Sequence, residues 1–215
     1  MKYLYRIVNA LLAAAIFPVA LLLEFVILRL STSIVDAGVE ETFTLKQIIG
    51  FFTGSDRLFG FSYDQIKSPG SSFTFPEALD PVKGQLIAVA VTFAIAIIAA
   101  VFIIFWSIFS NRRIPVIISS VIGIVSVIAM NICFNSAAAP LLDGTISVIE
   151  LFSSGWIMSL LGNMVSVDTL CFAGFHNGMI IVFIAILIWT AAFYIVEIGE
   201  PKEEKLSEKA KKKSK

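Results

Sequence analysis

Four stretches of the chain, residues 7–30, 86–109, 114–135 and 178–196, are apolar for long enough to cross a lipid bilayer. A helix rises about 1.5 Å per residue and the hydrocarbon layer is about 30 Å thick, so about 20 residues suffice. Residues 86–108 are the clearest case, with Thr92 and Ser107 as their only hydroxyls and no charge. No water reaches peptide groups inside hydrocarbon, which forces each stretch into a helix. Composition agrees: 58% hydrophobic and 15% charged residues lie far from the balance of an ordinary soluble domain. The expected fold class is therefore an all-α membrane protein. Its four transmembrane helices form a bundle with two extracytoplasmic loops, the first carrying a short helix and a small β-hairpin.

The first stretch follows Lys2 and Arg6 as a signal peptide would, but it is about twice as long as a signal core. It is read as a retained span. The basic residues then set the orientation. Eleven of the sixteen fall in the N-terminal segment, the 110–113 turn with Arg112 and Arg113, and the tail 197–215. Both termini are expected in the cytoplasm and both large loops outside, in what would be the plasma membrane. The segments expected are 1–30 (cytoplasmic N-terminus and first helix), 31–84 (large outer loop), 85–135 (second and third helices), 136–177 (second outer loop), 178–196 (fourth helix) and 197–215 (charged, disordered tail). That tail would lean on anionic lipid, and Lys212-Lys213-Ser214-Lys215 also fits a dilysine retrieval signal.

Residues 146–165 compete for a fifth crossing. A fifth span would put the lysine tail outside, and Glu150 and Ser153-Ser154-Gly155 weaken the stretch. It is read as an interfacial or re-entrant helix with Trp156 as its interfacial anchor, or as a loop helix packed on the bundle mouth. The segments 44–54 and 145–155 align without gaps, sharing Thr, aliphatic, Ile, Phe, hydroxyl and Gly positions. The pattern describes a hydroxyl-capped short helix ended by glycine. If it is a true repeat, the chain is two tandem span-loop-span units; the rival explanation is chance in a biased composition. Phe59, Phe61, Tyr63, Phe73 and Phe75 alternate around Pro69-Gly70, which reads as a hairpin.

Enzyme motifs are lacking, and His176 is the single histidine, so neither catalysis nor a cofactor or histidine metal cluster is expected. Four residues map to a similar outer depth: Glu24, Asn131, Asn135 and His176. They form a candidate outer polar cluster that could receive a cation or a basic group, or simply hydrogen-bond between helices. Cys133 and Cys171 both fall near the outer side, where a disulfide between them is geometrically conceivable; the alternative is two small packing residues. Small residues offer helix contacts at Ser119, Gly123 and Ser126, at Gly174 and Gly178, and at Ala90/Ala94 and Ala96/Ala100.

The layout of four spans, internal ends and a longer first outer loop is similar to claudin-like and tetraspanin-like proteins. The resemblance covers topology only: loop one lacks the claudin Trp and paired Cys, the tetraspanin Cys-Cys-Gly is missing, and no residue role carries over. The function expected is that of a non-enzymatic accessory, scaffold or assembly subunit working through its outer loops and helix faces. Its partners would be the lipid bilayer and other membrane protein subunits or further copies of itself, with no nucleic acid. The alternative is an oligomeric ion channel or small-solute transporter subunit with an outer polar vestibule.

Overall fold

The computed structural model describes residues 2–32, 39–58, 61–62, 77–110, 112–146 and 165–199. Four of its helices are long and apolar enough to cross a membrane. They are α1 (Lys2–Leu22), α3 (Lys83–Phe109), α4 (Ile114–Leu142) and α5 (Phe175–Gly199), while α2 (Leu45–Phe52) is short. The strands are β1 (Glu24–Thr32), β2 (Val39–Thr44), β3 (Arg57–Leu58), β4 (Phe61–Ser62) and β5 (Val165–Phe172).

Each long helix buries one narrow stripe. On α1 it is Tyr5, Asn9, Ala13, Ile16 and Ala20; on α5 it is Phe175, Met179, Phe183, Ile186 and Thr190. Spacings of three and four keep these residues on one side of a 3.6-residue turn. The remaining surface is apolar and exposed, with Leu11, Phe102, Val125 and Ile188 among many such side chains. Water would not tolerate that expanse, and lipid requires it, so the bundle is that of a membrane-embedded protein. The helices form a ring in which α1 touches α3 and α5, and α4 touches the same two.

Small residues set how closely the ring closes, since lipid gives helices no hydrophobic push together. A side chain on Gly123 of α4 would run into the Phe183 ring of α5, and a Cβ on Gly178 would lie 3.0 Å from both Val19 of α1 and Leu23 just beyond it. Ala96 and Ala100 are buried in the interior, whereas Ala90 and Ala94 face outward. The α4 stripe runs through Ser120 rather than Ser119, which is half-buried. Pro115 sits in the first turn of α4, where its missing N–H costs nothing.

Two expectations are corrected. The first helix stops at Leu22, not near residue 30, because the chain passes directly into β1. Twenty-one residues already span about 31 Å at 1.5 Å each, so the crossing is complete there. The fold is also not all-α. Strands from both loops make one antiparallel sheet in the order β2-β1-β5, with Leu28 opposite Glu41 on one side and Leu170 on the other. The third helix continues past residue 135 to Leu142, where Gly144 (φ 75°) turns the chain and the Ile146 N–H returns to the Pro140 carbonyl at 2.8 Å. The Thr145 hydroxyl and then its N–H bond the Asp143 carboxylate there and hold it below the usual aspartate range.

The short loop helix α2 has the expected ends. Thr44 Oγ1 accepts the Gln47 N–H at 3.1 Å while Gln47 Oε1 accepts the Thr44 N–H at 2.8 Å, a reciprocal cap, and Gly54 follows at φ 79°. The second member of the aligned pair, Trp156 and the 146–165 segment between Ile146 and Val165 fall outside the described residues. A hairpin does exist, but at β3 and β4, where Leu58 pairs with Phe61; residues 63–76 are also outside the description.

Candidate functional site: two polar ends of an apolar bundle

The loop end is built by strand pairing. β1 extends α1 and β5 leads into α5, so the two helices that pack against one another are prolonged as a two-strand ladder, with β2 added beyond β1. Alternation sends Phe172 and Phe43 inward, where both are buried. Phe172 stacks on Phe134 of α4 at 3.9 Å between centroids and meets Phe25 and Phe175 at 5.3 and 5.1 Å. The opposite face is polar. The Ser31 hydroxyl donates to Asp168 Oδ1 at 2.7 Å and contacts the Ser166 hydroxyl at 2.7 Å, and Arg29 lies 4.0 Å from Asp168.

The residues nominated from the sequence are dispersed around this end. Glu24 is the exposed first residue of β1 rather than a buried group within a span. Asn131 is half-buried and Asn135 exposed on the upper part of α4. His176 is half-buried beside Phe172 and Phe175, its Nδ1 buried without a partner among the described residues. Among the described residues no hydrogen bond or ion pair joins any two of these four. Cys133 and Cys171 are free, half-buried thiols. Alternation explains this for Cys171: its neighbour Phe172 points at α4, so the thiol points the other way.

The end that carries the termini holds a set of polar side chains that sequence reading missed. Asn9 Nδ2 donates to Thr190 Oγ1 at 3.4 Å, both groups fully buried between α1 and α5. Arg6 Nε donates to the Ser107 carbonyl at 2.8 Å, tying α1 to the last turn of α3. The Arg113 guanidinium lies over the Tyr5 ring at 5.4 Å and the Tyr194 ring at 5.9 Å, within cation–π range. Tyr5 Oη, Asn9 Oδ1, Ser107 Oγ and Trp189 Nε1 are buried there without hydrogen-bond partners among the described residues. A signal was available: Asn9 follows Tyr5 by four residues on the face that Ala13, Ile16 and Ala20 continue.

Between the two ends the buried residues are overwhelmingly apolar, from Ile16, Ala99 and Ile103 to Val127, Met130 and Phe183. The hydroxyls nearby turn back on their own helices, Ser120 to the Val116 carbonyl at 2.9 Å and Thr92 to the Ala88 carbonyl at 2.7 Å. No grouping of three or more metal-ligating side chains occurs among the described residues. Comparison of the chain with protein families, with characterised proteins and with solved structures gives no match.

Proposed function

We propose that the chain is a non-enzymatic accessory or assembly subunit of the plasma membrane, with both termini in the cytoplasm and the sheet outside, holding partner proteins on that sheet. The observation that carries this reading is the sheet itself. Strands from two loops, more than 130 residues apart at the Thr32–Val165 pair, are joined and fixed to α1 and α5, which gives the loop end a rigid face. Its polar side exposes Arg29, Glu40, Thr42 and Asp168, and edge strands β2 and β5 offer backbone groups for augmentation. The apolar midsection supports a structural role over conduction through a single copy, since a charged group at mid-membrane is costly.

The test exchanges the cross-strand pair Arg29 and Glu40. Arg29→Glu with Glu40→Arg and Asp168→Lys keeps opposite charges facing each other on both sides of β1 and inverts the pattern shown to a partner. Proteins that travel with the wild-type chain through mild-detergent purification should be lost, with the helical bundle intact by circular dichroism. Retention of the same partners would sink the reading. Ion flux in reconstituted vesicles that changes on charge reversal at Glu24 would favour the channel alternative instead.

A further inference from the structure

The terminal end carries a groove that the outer sheet does not explain. It lies between α1 and α3, has a volume of about 350 Å³, and is lined by Arg6, Ile7, Ala10, Leu11, Ser107 and Ile108. That size falls in the ordinary range of ligand clefts, about 300–1,000 Å³. Ile7, Leu11 and Ile108 are exposed, so the groove opens on the lipid-facing side of the bundle rather than into its core.

We propose that this groove binds one phospholipid with an anionic, phosphate-bearing headgroup, in the leaflet that the termini face. Charge and hydropathy are arranged along it as in such a lipid. Arg6 stands toward the end of the helix, and the apolar side chains Ile7, Ala10, Leu11 and Ile108 supply walls for an acyl chain. The bond from Arg6 Nε to the Ser107 carbonyl fixes the guanidinium in place. Its two terminal nitrogens have no protein partner among the described residues, and they are the donors that arginine offers to a phosphate.

A second observation points the same way. The surrounding field favours an anion: Lys2, Arg112 and Arg113 belong to the same end, and the tail 197–215 adds seven lysines against five glutamates, so the end is net basic. A basic pocket between membrane helices with apolar walls is the physical description of a headgroup site.

The full chain is reconstituted in nanodiscs containing phosphatidylcholine and phosphatidylglycerol in equal amounts, and the lipids that remain bound are identified by native mass spectrometry. The wild-type chain should retain one phosphatidylglycerol in preference to phosphatidylcholine. Arg6→Gln should lower that retention about tenfold, with Arg6→Lys recovering part of it. Leu11→Trp fills the groove without changing charge and should lower retention of either lipid at this site; because Leu11 is exposed, this variant decides the matter if Arg6→Gln does not fold. Replacing the tail lysines by glutamine should leave the bound lipid in place, and inorganic phosphate should not displace it. The proposal is overturned if Arg6→Gln and Leu11→Trp keep wild-type retention, or if retention follows the tail lysines. It is equally overturned if phosphatidylcholine is held as well, or if Leu11→Trp dissociates an oligomer, which would make the groove a contact between copies.

Discussion

At the loop end, main-chain groups leaving α1 and entering α5 find partners in a ladder, and Arg29, Ser31, Ser166 and Asp168 on its polar face pair with one another, with His176 Nδ1 the buried atom left unmatched among the described residues. At the terminal end the helices run on, and polar side chains are buried in their packing with several donors and acceptors unmatched. The difference follows from the surroundings. Outside hydrocarbon the chain can leave the helix for a sheet, whereas inside it the backbone must stay helical and polarity has to be carried by side chains alone. The loop end is thus held by complementarity and aromatic packing, and the terminal end by close helix contact with polar groups to spare.

The largest expected effect comes from removing the aromatic centre of the loop end. Phe172 is 5% exposed and touches Phe25, Phe134, Phe175 and His176, so Phe172→Ala should cost about 3–5 kcal/mol. Amide hydrogen exchange should quicken in β1 and β5 while amides around Asn9 and Thr190 keep their protection. An equal rise at both ends would show that they unfold as one unit and erase the contrast.

A smaller effect is expected at the midsection that separates the ends. Gly123→Ala places a methyl group against the Phe183 ring, closer than ordinary contact allows, and overpacking of this kind costs about 1–3 kcal/mol. Because α4 and α5 pass through both ends, the loss should be shared between them, which denaturant titration read by exchange at each end can follow. Loss confined to one end would mean that the midsection does not couple them.

How far the molecule is legible from its residues divides along the same line. The four spans, the helix cap at Thr44, the glycine turn at Gly54 and the inward Ala96/Ala100 pair follow from local rules that read only neighbours in sequence. The sheet does not, since Leu28 and Leu170 are each unremarkable apolar residues and only the packing of α1 on α5 brings them opposite one another. For the same reason the end of α1 is misjudged from hydropathy: residues 23–30 are apolar enough for a helix, but they are also rich in β-branched and bulky side chains suited to a strand with partners. Glu24, Asn131, Asn135 and His176 share a depth along the membrane normal without sharing a place, because depth says nothing about which face of a helix a residue occupies. Asn9 and Thr190 illustrate the converse, being polar residues hidden inside stretches judged by their average.

The smallest effect should come from the terminal end itself. Asn9→Leu removes a 3.4 Å hydrogen bond to Thr190, but it also removes Oδ1, a buried acceptor that nothing satisfies. Hydrogen bonds between membrane helices average about 0.6 kcal/mol, and an unmatched buried polar atom costs at least as much, so the two contributions nearly cancel. Thr190 can then bond to a carbonyl one turn back on its own helix, as Ser120 already does. Stability measured by denaturant titration in detergent should therefore change by less than about 0.6 kcal/mol in either direction. A loss above about 2 kcal/mol would mean that the asparagine holds partners as good as those of the sheet, and the terminal end would then be organised by the same complementarity as the loop end.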